Sequence, residues 1–187
     1  MNTFFITGLP RTRSSWLSNF FTYKDSFCFH EAIHLCHSIG DMKPLFESVK
    51  EPHVGDSDAW LLFYQENIME MFPDAKWVLI KRDFVSSFEA LKNRYKTEPS
   101  FDLEALSILK HKLDMFESDY SPLVIQYETL NDVDICKRVW NYCLPDIPFN
   151  LARWHQLDVL KIDPMESKME RFHGKQAIRT VRDYVAT

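Results

Sequence analysis

The chain has 187 residues, 45% of them apolar and 26% charged, with a formal net charge of −5. That is enough for one ordinary hydrophobic core, too apolar for disorder, and too acidic overall for a general binder of nucleic acid or anionic membrane. The N-terminal MNTFFITGLPRTR lacks the basic and apolar regions of a signal peptide, no stretch nears the roughly 20 apolar residues that span a bilayer, and the four cysteines form no C-x-x-C pair, so the expectation is a cytoplasmic protein with reduced thiols.

Residues 3–7 are aromatic and β-branched, which predicts a buried strand. GLPRTRSS then reads as a turn, and Trp16, Leu17, Phe20 and Phe21 begin a helical spacing. Residues 27–29 predict a second strand that leads straight into HEAIHLCHSIG. Residues 58–72 predict a helix, with Leu61, Leu62, Tyr64, Ile68, Met69 and Phe72 mostly along one face. KWVLIKR is a continuous apolar strand ending in charge, residues 86–96 and 102–117 are helical, PLVIQY is another buried strand, and residues 132–142 form a further helix. Residues 175–185 carry an amphipathic helical pattern. Strands that alternate with helices and are apolar on both faces predict a parallel sheet covered on both sides. The fold class is therefore α/β, in three α/β/α layers, with residues 1–187 expected to form a single domain.

Chemistry concentrates in the first loop. Ligands of open parallel sheets sit at the carboxyl ends of strands, beside a helix N-terminus, where free backbone N–H groups and the helix dipole favour anions. GLPRTRSSW has that setting, with Gly8 for the turn, Pro10 to stiffen it, Arg11 and Arg13 for charge, and Thr12, Ser14 and Ser15 for hydroxyls. It is not a Walker A loop, because Arg13 and Ser14 stand where the glycine and lysine would be. Taken by itself, the loop is equally a helix N-terminus capped by Thr12 or Ser14 with solvated arginines.

GLPRTRSSW resembles the 5′-phosphosulfate loop of sulfotransferases, written G-x-P-R-S-G-T-T-W/L in many members. Arg11 falls on the family's Arg or Lys, Thr12 on its Ser, Ser14 and Ser15 on its hydroxyl pair, and Trp16 on its aromatic or Leu. Arg13 replaces the usual glycine. FPDAKWVLIKRD resembles the second signature, so Arg82 inherits binding of the 3′-phosphate of 3′-phosphoadenosine 5′-phosphosulfate (PAPS). The family's helper Ser, eight residues on, is Ala90 here, and Ser86 and Ser87 stand about one turn earlier as substitutes. Arg94, twelve residues after Arg82, matches a further 3′-phosphate arginine of some members. PLVIQYETLND is similar to the family's late strand through Tyr127, Glu128 and Leu130, and RFHGK at residues 171–175 faintly echoes its basic closing loop. The likeness implies a P-loop NTPase-like sulfotransferase fold, with PAPS as co-substrate.

HEAIH, residues 30–34, also reads as the H-E-x-x-H signature of a zinc protease. Cys36 and His37 follow at once as further candidate ligands, but the metzincin extension is broken, because His37 and Gly40 occupy the reverse of the required order, and no N-E-x-x-S/D-like partner follows. In several sulfotransferases a Glu about twenty residues beyond the loop arginine is the general base, and Glu31 lies twenty residues after Arg11. His30, Asp56 and Asp58 are further candidates for the base, with His53 less favoured.

The resemblance implies sulfuryl transfer from PAPS to a hydroxyl or amine of a small-molecule, carbohydrate or peptide acceptor. In that scheme Arg11, Ser14 and Ser15 act on the 5′ side, Arg82 on the 3′ side, and no metal is required. Competing expectations are a P-loop phosphotransferase, a non-catalytic nucleotide-binding module and, remotely, a zinc protease.

Overall fold

The computed structural model describes residues 1–94 and 103–159. Five strands form one wholly parallel sheet: β1 (Asn2–Gly8), β2 (Ser26–His30), β3 (His53–Ser57), β4 (Lys76–Lys81) and β5 (Leu123–Gln126), in spatial order β2-β3-β1-β4-β5. Pairing is in register along β1, with Phe4 opposite Gly55 on β3 and Ile6 opposite Val78 on β4. The helices are α1 (Ser14–Phe21), α2 (Met42–Glu47), α3 (Gln65–Met71), α4 (Phe84–Arg94), α5 (Leu103–Tyr120), α6 (Val133–Cys143) and α7 (Leu151–Val159).

Alternate side chains of each strand enter opposite layers. On one face Phe4, Ile6, Val78, Ile80 and Ile125 pack with Phe20 of α1, Trp140 of α6 and Trp154 of α7. On the other face Phe5, Phe29, Trp77 and Leu79 pack with Phe46 of α2, Ile68 of α3 and Phe116 of α5. This is the three-layer α/β/α arrangement expected from strands that are apolar on both sides. Each fully buried ring contributes roughly 1.5–3 kcal/mol against exposure, so both layers hold the sheet.

The connection from β1 to β2 runs over the α1 face, whereas the later connections between strands return over the opposite face. The direction of winding therefore reverses at β1, and its carboxyl end opens into a crevice of the kind where α/β sheets bind ligands.

Two sequence expectations need correction. Residues 58–72 are not one helix. Asp58 Oδ1 accepts the Trp60 N–H at 2.8 Å, a local turn that competes with helix. A short 3-10 turn (Leu61–Phe63) then precedes α3. In addition β3, HVGDS, is a central strand that no apolar run announces. It buries all five of its residues between β1 and β2. The expected helix over 175–185 and the RFHGK segment lie outside the described residues, and Arg94 closes α4 with its side chain also outside them.

Candidate functional site

The loop between β1 and α1 is built on two left-handed residues, Arg11 (φ 69) and Arg13 (φ 64). Alternation into this region turns successive backbone N–H groups toward a common centre, an anion-binding nest. Arg13 therefore adopts the backbone shape for which the family uses glycine, although an L-residue is strained there by about 1–2 kcal/mol. Arg13 is also the N-cap of α1 and contributes no capping bond, so neither Thr12 nor Ser14 caps the helix in the way the plain structural reading expected. Gly8 is required by close approach: a Cβ there would overlap the Ile80 carbonyl oxygen and meet Thr12 Oγ1 at 3.2 Å.

Other segments grip this loop by its carbonyls. Arg82, just past β4, donates to the Arg11 carbonyl oxygen, and the fully buried Ser87 hydroxyl donates to that of Pro10. The Arg82 guanidinium also lies over the Tyr127 ring, 4.2 Å from its centroid. Its buried Nε has no hydrogen-bond partner among the described residues. Such an orphan donor is costly unless something anionic completes it. Arg13 turns outward, giving a hydrogen bond to Asn131 Oδ1 at 2.6 Å and lying 4.5 Å from the Trp16 ring centroid. Tyr127 and Asn131 both belong to the 3-10 turn Tyr127–Asn131 after β5, so three segments far apart in sequence meet at one crevice. Arg11 is exposed at its mouth.

Ser86 is exposed, and its backbone N–H is bonded to Asp83 Oδ1 at 2.8 Å. Bonds from the Ser86 backbone and hydroxyl hold the Asp83 carboxyl below its usual pKa, in keeping with its place at the start of α4.

HEAIH follows the end of β2. His30 is the last residue of the strand, Glu31 is left-handed (φ 60), and His34 lies in a 3-10 turn (Ala32–Leu35). The two histidines therefore do not share a face of an α-helix, as an H-E-x-x-H zinc site requires. His30 instead points its Nε2 at the anion loop, 3.0 Å from both Ser14 Oγ and Ser15 Oγ. One ring nitrogen satisfies one in-plane bond, which leaves hydroxyl capacity for an anion. Glu31 lies between the imidazoles, 3.8 Å from His30 Nε2 and 3.8 Å from His34 Nε2.

Beneath this turn lies Asp56 of β3, fully buried, with both carboxyl oxygens 3.2 Å from the Ala32 N–H. Burial, then Asp58 and then Glu31, push its pKa well up from the usual carboxylate range. Asp58 is buried in a turn that bonds Trp60. His53 sits at the opposite, amino end of β3, bonded to Asn2 Nδ2 at 2.9 Å, and is removed from the site. Cys36 is half-buried and its thiol pKa is raised, first by burial and then by Asp41 and Asp56. Among the described residues no group of three or more potential ligands is arranged to hold a metal.

The roles of Asn131 and of the loop carbonyls were not readable from residue type. Tyr127 stands out in the sequence only through its YETL context, and nothing local says that its ring lies under Arg82.

No family model matches the sequence, and no curated protein matches it. Solved structures do. The chain is similar to a sulfotransferase from Alicyclobacillus acidocaldarius, with a TM-score of 0.59 and 15% identity over 100% of this chain and 96% of that one. It is also similar to the mouse sulfotransferase SULT7A1 complexed with PAP, with a TM-score of 0.57 and 12% identity. That match covers 83% of this chain and spans 63% of the mouse chain, less than two thirds of its length. The protein has a sulfotransferase-like fold.

Proposed function

We propose that this protein is a PAPS-dependent sulfotransferase, moving a sulfuryl group onto an acceptor hydroxyl or amine and releasing adenosine 3′,5′-bisphosphate. One observation carries the reading: the segments after β1, β4 and β5 converge on an anion loop, and Arg82 keeps there a buried Nε–H that has no partner among the described residues. The donor set fits a doubly phosphorylated nucleotide, because it offers arginines, hydroxyls and a nest of amides and lacks a P-loop lysine.

Sulfuryl transfer is physically akin to phosphoryl transfer, so catalysis is positioning plus electrostatic stabilisation. The acceptor O–H gives its proton to the Glu31 carboxylate while its oxygen bonds to sulfur. The bond from sulfur to the 5′-phosphate oxygen breaks, and its electron pair stays on that oxygen. Arg11, Thr12, Ser14, Ser15 and the loop amides bear the resulting charge, and His30 orients one of the two serine hydroxyls at a time. Arg82, with the exposed Ser86 and with Arg94, binds the 3′-phosphate, whereas the buried Ser87 spends its one O–H on the Pro10 carbonyl and holds the loop. Gly8, Pro10 and Trp16 shape the loop.

Calorimetric titration with adenosine 3′,5′-bisphosphate, against AMP and Mg-ATP, tests the reading. Binding should require the 3′-phosphate and weaken about 10- to 100-fold in Arg82→Ala, the worth of one or two charge-assisted bonds. Glu31→Gln should bind the bisphosphate as the parent does, yet lose transfer by about 10²–10⁴ in rate. Equal affinity for AMP, or normal transfer by Glu31→Gln, would contradict the donor and base assignments respectively.

A further inference from the structure

The turns that follow β2 and β3 enclose a cleft of about 710 Å³ on the Glu31 side of the site. Ile33, Ile39, Trp60, Phe63 and Tyr64 give it an apolar, aromatic lining, and Ala105 of α5 closes it. The Trp60 and Phe63 rings lie 5.5 Å apart at 37°, and Lys112 Nζ lies 5.9 Å from the Phe63 ring centroid. Polar contributions come from His34, His37 and Ser38, and no Asp, Glu, Lys or Arg lines the cleft among the described residues. His34 links it to the chemistry, since its Nε2 is 3.8 Å from Glu31 Oε2.

Volume and lining select the occupant. A cleft of several hundred Å³ with aromatic walls and a few polar groups suits a small organic molecule. Among the described residues the lining itself holds no ionic partner to offset the desolvation of a charged acceptor. A sugar would leave many hydroxyls facing ring surface. The geometry points to a small, uncharged aromatic alcohol or phenol as the acceptor, its ring among Trp60, Phe63 and Tyr64 and its hydroxyl directed to Glu31. This inference rests on the sulfotransferase reading for the reaction, but the cleft itself is testable without it.

The test titrates the full chain with 2-naphthol, with and without saturating adenosine 3′,5′-bisphosphate, and with N-acetylglucosamine as comparison. Naphthol should bind in both conditions and the sugar should not. Trp60→Leu and Tyr64→Asp should each weaken naphthol at least about tenfold, as expected for lost ring contact or a charge in the cleft. Both should bind the bisphosphate as the parent does. Tyr64 is 39% exposed, so its replacement leaves the fold intact even where that of Trp60 does not. Naphthol binding that survives both variants, or is no stronger than that of the sugar, overturns the assignment. Variant-sensitive naphthol binding in a protein blind to the bisphosphate supports the cleft and rejects the sulfotransferase reading.

Discussion

Arg13 has a backbone role and a side-chain role that pull in different directions. Its backbone is left-handed (φ 64, ψ 29), where glycine is at ease and other residues are strained. Its side chain recovers part of that through Asn131 and the Trp16 ring. Arg13→Ala loses the contacts and keeps the strain, whereas Arg13→Gly loses the contacts and relieves it. The alanine variant should therefore be less stable than the glycine variant by about 1 kcal/mol, after allowing for the entropy glycine adds to the unfolded chain. Urea denaturation of the three proteins measures this, and equal midpoints for Ala and Gly would show that the turn is unstrained. At this scale the sequence was informative where a residue type has one dominant use. Gly8, Pro10 and the hydroxyl pair fell at the crevice that GLPRTRSSW implied. Residue type was silent where partners are distant: nothing in the letter Arg82 says that it holds a carbonyl 71 positions away. His30 lies 16 and 15 positions from the two serines that it contacts.

Among the elements, β1, β2, β4 and β5 were legible because strands buried on both faces are continuous apolar runs. β3 was not, because glycine and aspartate are depleted in strands and HVGDS has only one aliphatic residue. Its irregular residues have specific work in the structure. Gly55 makes room for the Phe4 ring, which a Cβ would overlap, and Asp56 holds the turn that carries Glu31. Helix α7 was equally hidden. It is anchored by the buried Arg153, which donates to the carbonyls of Asn19, Phe20 and Thr22 at the C-terminal end of α1. Those partners are more than 130 residues away in sequence. Gly55→Ala should destabilise by about 1–3 kcal/mol, the usual penalty of overpacking a dense core. Trimming the ring in Phe4→Leu should rescue part of that loss, because residues in contact are energetically coupled. Thermal melts of the two single variants and the double variant give the coupling, and additive losses would mean that the ring and the glycine do not meet.

Taken whole, the molecule gathers its chemistry at the carboxyl edge of one parallel sheet, and the penalty of doing so falls on the centre of that sheet. No helix among the described residues is long and apolar enough to cross a membrane, and both faces of the sheet are spent on core packing. Asp56 is thus a carboxyl inside an apolar layer, its pKa raised first by burial and then by Asp58 and Glu31. In the unfolded chain it ionises at about 3.9. Between that pH and its raised folded value, the native state holds a proton that the unfolded state has released, so stability falls as pH rises through this window. His53 acts in the opposite sense. Burial lowers its pKa, so its contribution is present above about 6.5 and is lost as pH falls through the lowered value. Asp56→Asn keeps an acceptor for the Ala32 N–H and cannot ionise. Since His53 is common to both proteins, it cancels in the difference between them. The asparagine variant should melt above the parent at pH 8, by no more than that at pH 6, and with little difference near pH 3, where the Asp56 carboxyl is largely protonated in both states. Parallel melting temperatures at all three values would mean that Asp56 ionises in the folded protein as freely as in the unfolded one, which its complete burial beside two other carboxyls argues against.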